Sequence, residues 1–204
     1  MQGKFITLEG IEGSGKSTNL KVVKTIFDQN KIDYVITREP GGGPLGPHLR
    51  KLLLDKDQSI SPSVEMLLMM ADRKDHVDNL IKPNLDKGIW VISDRYLDST
   101  IAYQGGGRQL DINLITSLSA ALKLPSPDFT LLFDLPVDVA LQRAEERSEL
   151  DRFEREPKDF HSRIRDSYLE LASNNHRIRT VDSSKDIESV SMQVEKYLTD
   201  FLNA

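Results

Sequence analysis

No cysteine occurs in the 204 residues, so neither a disulfide framework nor a thiolate metal site is possible. The four histidines are scattered without ligand spacing, and any bound metal is therefore expected on oxygen ligands. Long apolar runs are missing as well. No segment approaches ~18 consecutive apolar residues, and Met1 leads into a strand-like stretch without a basic region and cleavage site. The expectation is a cytoplasmic protein with no membrane partner. Positive charge is not in excess: 27 Lys and Arg stand against 32 Asp and Glu, a net charge of -5. That balance disfavours broad attachment to nucleic acid or an acidic membrane, while leaving room for a local anion site.

The chain shows no internal repeat and no low-complexity linker. With 38% hydrophobic residues over this length, it reads as one domain, residues 1–204. KFITLE (4–9), DYVITR (33–38), IWVISD (89–94), FTLLFD (129–134) and IRTVD (178–182) are short, β-rich runs suited to buried strands. Helix-length segments lie between them. Leu20, Val23, Ile26 and Phe27 follow helical spacing, and 62–81, 111–122, 137–147, 157–173 and 186–202 are further helix candidates. Alternating strands and helices predict an α/β fold, a five-stranded parallel sheet flanked by helices, with ligands at the carboxyl ends of the strands.

After the first strand comes GIEGSGKST, residues 10–18, which satisfies the phosphate-loop pattern G-x-x-x-x-G-K-[ST] between a strand and a helix. Gly10, Gly13 and Gly15 permit the backbone angles that turn N–H groups inward, Lys16 reaches the β/γ-phosphates, and Ser17 can ligate Mg²⁺. Such a loop leaves the reaction open. A GTPase would need a guanine reader; Asn30-Lys31-Ile32-Asp33 has the NKxD letters, but it follows the first helix at once and reads as a turn. A motor ATPase would ordinarily need more chain. A small-molecule kinase needs an acceptor site, and Arg38 and Arg95, at the ends of the second and third strands, suit an acceptor phosphate through bidentate hydrogen bonds. Asp94 can hold a magnesium-bound water. The residues alone point to a phosphate-loop kinase with an anionic acceptor.

Taken in order, TLEGIEGSGKST, TREPGGG, MADR, SDRYLDSTIAYQGGGR and RSELDRFE resemble the bacterial thymidylate kinases over residues 4–182. The resemblance implies the P-loop nucleoside monophosphate kinase fold, a homodimer, and transfer of the γ-phosphoryl of ATP to dTMP with Mg²⁺, giving dTDP and ADP. It places ATP on Gly10, Glu12, Gly13, Ser14, Gly15, Lys16, Ser17, Thr18 and Arg143, with Arg143 packed on adenine. The metal falls to Ser17 and Asp94. For dTMP it implies Glu12 facing the 3′-hydroxyl, Arg38 and Arg95 on the phosphate, Arg73 reading the thymine O4 edge, and Thr100 beside the ring. Gln104 is then a polar contact and Tyr103 the group that crowds a 2′-hydroxyl. Because the phosphate loop carries Ser14 and no arginine, a catalytic arginine is expected from a mobile lid at 143–158, Arg152 first and Arg147 second, alongside Lys16, Arg95 and Asp94. Arg155, Arg163 and Arg165 read instead as a solvated helix face laced with i,i+4 ion pairs.

Two positions depart from the family pattern. Gly43 stands where threonine is usual, and Met69 where phenylalanine is usual, one helical turn before Arg73. Phosphorylation of another nucleoside monophosphate, or nucleotide-dependent binding with little turnover, are the competing readings.

Overall fold

The five β-rich runs form β1 (Phe5–Glu9), β2 (Tyr34–Arg38), β3 (Trp90–Asp94), β4 (Phe129–Asp134) and β5 (Ile178–Asp182) in a computed structural model that describes residues 3–147 and 150–203. All pair in parallel, in the order β2-β3-β1-β4-β5. β1 is buried at every position, as a central strand covered on both faces must be. The chain runs from β1 out to the β2 edge, returns through β3, and then crosses β1 to reach β4. The carboxyl ends of β1, β3 and β4 therefore meet at the switch point where open α/β sheets bind ligands.

α1 (Lys16–Gln29) and α9 (Ile187–Leu202) cover one face, where Val23, Ile26 and Phe27 meet Val190, Val194 and Leu198 over Ile6, Leu8 and Phe133. The other face is covered by two groups of helical segments. Val77, Ile81 and Leu85 pack on Phe5 and Val91, while Ile164 and Tyr168 of α8 (Lys158–Ser173) pack with Leu132 and Ile178. Each predicted strand is present to within a residue. The predicted helix 62–81 is α3 (Pro62–His76) continued by a π-helical turn, Val77–Ile81, into a short α4 (Lys82–Asp86).

Two helical segments escape the periodicity. α2 (Gly46–Leu54) starts on Gly46-Pro47, and α5 (Leu97–Thr100) runs into a π-helical stretch, Ile101–Gly107, before α6 (Ile112–Ala121). Three glycines in a row make residues 101–107 a poor helix by propensity. Packing on α8 compensates, and it requires glycine: a Cβ on Gly107 would press into the Phe160 ring. The remaining predicted helix is α7 (Val137–Arg147). Asn30–Asp33 is the turn that closes α1 and enters β2, at the amino end of the sheet, opposite the ligand edge.

Candidate active site

A cavity of about 680 Å³ opens over the carboxyl ends of the strands, bounded by the phosphate loop, the ends of β2 and β3, α3, the 97–107 stretch and Asp151, Phe153 and Glu154. Gly13, at φ 72°, lies so close to α7 that a Cβ would collide with the Ala140 carbonyl oxygen; only glycine closes the loop here. Lys16 donates from Nζ to the carbonyl oxygens of Gly10 (2.8 Å) and Ile11 (3.0 Å) and to Ser14 Oγ (3.3 Å). Burial pushes the Lys16 ammonium down to about 8; the Arg95 charge adds to the fall, and Asp94, Glu12 and Glu9 oppose it.

A bound polyphosphate favours the ammonium form of Lys16. Its affinity should therefore fall as pH rises through about 8, and binding above that pH should take up a proton. Calorimetric titration of ATP in buffers of different ionisation heat measures that uptake. A pH-independent affinity with no proton taken up would mean that Lys16 keeps its charge without a ligand.

Glu12 answers to the other side of the cavity. Its Oε1 accepts from Arg95 Nη2 at 2.6 Å, and its Oε2 accepts a short bond from the Tyr103 hydroxyl. Burial alone would raise the Glu12 carboxyl, but the Arg95 guanidinium, Lys16 and the Tyr103 hydroxyl together hold it below its ordinary value. Burial and Glu12 keep the Tyr103 phenol protonated, well above its usual range. The carboxylate thus points out of the phosphate cradle and into a pocket built by β3 and the 97–107 stretch. Arg95 itself sits at φ 72° and commits both Nη nitrogens to protein oxygens, leaving its Nε–H edge.

The floor of that pocket is Arg73, 1% exposed. Glu39 accepts from Arg73 Nε (2.7 Å) and from His76 Nδ1 (2.8 Å), one turn apart on α3. Arg73 Nη1 donates to Thr100 Oγ1 (2.8 Å) and Nη2 to the Tyr96 carbonyl (2.9 Å). A buried guanidinium with this many fixed partners is a rigid donor platform. Gln104 also lines the cavity and donates to Glu65 at 2.8 Å. Met69 is half-buried, packs in the cluster that contains Tyr103 and Phe153, and shares the cavity wall with Arg73, as their spacing implies. Gly43 has a structural reason: a Cβ there would strike the Asp75 carboxylate and the His76 amide, because the 41–46 turn lies directly on α3. Asp72 secures the same turn by accepting from the Gly41 amide.

Arg38 is exposed at the end of β2 and lines the cavity, with Arg50 of α2 beside it. Sequence reasoning missed Arg50 because it missed α2. The residue donates to the Pro40 carbonyl at 2.7 Å and adds a third cation to the Arg38 and Arg95 side. Ser17, Thr18 and Asp94 line the cavity near Lys16, and Asp94 Oδ1 is buried with no hydrogen-bond partner. Arg143 reaches the other end, donating to the Ser183 carbonyl at 3.0 Å.

The arginine-rich segment divides. Arg152 is not on the cavity wall: it donates to Glu65 (2.7 Å) and to the Leu53 carbonyl (2.9 Å), and its Nη2 is buried without a partner. The Arg147 side chain lies outside the described residues. Arg163 and Arg165 correct the solvated-face reading. Arg163 caps the Gly107 carbonyl and Arg165 grips Asp134 by two bonds, at 2.7 and 2.9 Å. Both contacts are tertiary, made because α8 packs against the 101–107 stretch and the end of β4.

A sequence model of thymidylate kinase matches residues 8–194. The chain is similar to the thymidylate kinase of Carboxydothermus hydrogenoformans, 48% identical over 97% of this chain and 98% of that one. To the thymidylate kinase of Nitrosomonas europaea it is 44% identical, over 98% and 94%, and to that of a Marinomonas species 43%, over 97% and 95%. With a phosphate loop, a facing arginine-lined pocket and identity of this extent along nearly its whole length, the chain belongs to the thymidylate kinase family.

Proposed function

We propose that the protein transfers the γ-phosphoryl group of ATP to dTMP, giving dTDP and ADP for dTTP synthesis, and that the cavity holds both nucleotides. The observation that carries this reading is Glu12: an acid inside the phosphate loop is turned away from the cradle and bonded to Arg95 and Tyr103 across it. ATP lies along residues 10–18, with Lys16 on the β/γ-phosphates and Arg143 beside adenine. The acceptor phosphate is met by Arg38, Arg50 and the free edge of Arg95. Glu12 takes the 3′-hydroxyl, and Arg73, Thr100 and Gln104 face the base, with Met69 against its ring. Phosphoryl transfer depends chiefly on positioning and charge stabilisation, which this collection of fixed guanidinium groups supplies. The one buried Asp94 oxygen without a partner suits the water shell of Mg²⁺, which Ser17 would complete. Bound there, the ion would neutralise charge on the β- and γ-phosphates.

A coupled ADP-release assay over dTMP, dUMP, dCMP, dGMP and UMP tests the reading. dTMP should have the highest kcat/KM. dUMP should be the runner-up by a narrow margin, because it lacks only the 5-methyl group, whose burial contributes about 0.8 kcal/mol. Faster turnover of dCMP or a purine would assign a different acceptor, and no turnover at all would leave a binding module.

The working unit is proposed to be a homodimer of single-domain chains in the cytoplasm, with residues 143–158 as the lid. Leu45 just before α2, Leu52 on α2, Val64 and Leu67 on α3, and Ile112 and Leu114 on α6 are exposed, apolar side chains of the kind that an interface covers. Among the described residues no helix is long and apolar enough to cross a membrane. Sedimentation should show a dimer that Leu67→Glu dissociates; a monomeric parent protein would sink the assignment of this surface.

A further inference from the structure

Glu9 closes the central strand, is wholly buried, and does not line the cavity. A buried carboxylate is costly unless its oxygens are bonded, and every bond it makes leads to Arg95. Its Oε1 accepts from the Tyr96 amide at 2.8 Å, fixing the residue after Arg95 and with it the left-handed backbone on which Arg95 sits. Its Oε2 accepts from Ser99 Oγ (2.6 Å) and from the Tyr168 hydroxyl (3.0 Å). The two hydroxyl oxygens lie 2.7 Å apart, and each accepts from Arg95 Nη1 at 3.2 Å.

The Glu9 Oε2, Ser99 and Tyr168 oxygens share their protons among three contacts. Each hydroxyl carries one proton and needs its lone pairs for Arg95. A charged Glu9 takes both hydroxyl protons. A protonated Glu9 closes a ring of three bonds in which each oxygen donates once. Burial, with the Asp98 charge adding to it and the Ser99 hydroxyl opposing it, raises the Glu9 carboxyl to about 7, and in neither state does a proton point at the guanidinium.

We infer that Glu9 is a positioning residue for Arg95: by keeping the Ser99 and Tyr168 protons turned away from the guanidinium, it anchors Nη1 and aims the guanidinium at the acceptor phosphate. The inference rests on the reading above that Arg95 binds that phosphate. Glu9→Gln brings two amide protons to the same face. Four protons then share three contacts, and one hydroxyl proton has to turn toward Arg95, which displaces it.

The test is a double-mutant cycle of Glu9→Gln and Arg95→Ala, read in KM and kcat for dTMP and KM for ATP, with thermal melts to confirm folding. Glu9→Gln alone should raise the KM for dTMP about tenfold, the scale of one charge-assisted bond, and leave the KM for ATP within about twofold. In the Arg95→Ala background the same change should have almost no further effect. Equal losses in both backgrounds, or an unchanged KM in the single variant, would overturn the inference while leaving the role of Arg95 intact. An Arg95→Ala enzyme with the parental KM for dTMP would overturn both. If Glu9→Gln does not fold, Tyr168→Phe keeps the carboxylate and removes one anchor. Run through the same cycle it should raise KM several-fold, an effect that must vanish without Arg95.

Discussion

Lys16→Ala is expected to lower kcat for dTMP by on the order of 10³-fold or more with the fold intact. Its ammonium donates only to the loop that carries it, to the Gly10 and Ile11 carbonyls and Ser14 Oγ, so no packed core depends on it. Lys16 itself lines the cavity, so water can enter the space its side chain vacates and bond those carbonyls. Burial disfavours the charged lysine, and removing it should therefore leave the melting temperature unchanged or slightly higher. On the proposed reading the same amine would sit on the β/γ-phosphates, while Arg38, Arg50 and Arg95 would lie on the acceptor side of the cavity. Near-parental turnover in this variant would remove the phosphate-loop assignment. A collapsed melting temperature would show instead that the lysine holds the loop together.

Arg152→Ala should lower kcat by a comparable factor, on the order of 10³, with a much smaller effect on the KM for dTMP. A charge delivered to the transition state is lost, while no acceptor contact goes with it. Arg152 is held against Glu65 and the Leu53 carbonyl, so to act it must exchange Glu65 for the phosphoryl group. Stability should suffer less than the 3–5 kcal/mol typical of stranding a buried charge, because Arg108 and Gln104 continue to bond Glu65. Arg147→Ala is the control. A silent Arg152→Ala with a damaging Arg147→Ala would move the catalytic role to Arg147, and two silent variants would remove the lid from the mechanism.

Much of this architecture is legible in the sequence because it is set locally. A five-residue run rich in β-branched residues has few alternatives to a strand, and β1 to β5 lie where those runs predict; the expected burial holds for β1, β3 and β4 but not for the edge strands β2 and β5, each covered only in part. The phosphate loop is legible for a related reason: Gly13 needs a positive φ and no Cβ, which only one residue type provides. Where local preference is weak the reading fails. α2 has a short apolar pattern, and residues 101–107 carry three glycines; both are helical because α3 and α8 cover them. Missing α2 meant missing Arg50. Treating Arg163 and Arg165 as a solvated face failed similarly, since their acceptors, Gly107 and Asp134, lie 56 and 31 residues away.

By itself, then, the sequence determined the strand-forming runs, the phosphate-binding loop and the family, all of which follow from residue type at short spacing. Only the tertiary structure decided where the charges point. Glu12 meets Arg95 across 83 residues, and Glu9 meets Tyr168 across 159. Neither pairing has a local signature; each exists because the order β2-β3-β1-β4-β5 sets the carboxyl end of β1 beside that of β3, and because α8, packed on the 101–107 stretch, brings Tyr168 to Glu9. The same placement turns an acid within an anion-binding loop toward a guanidinium, where its charge is stabilised and not repelled.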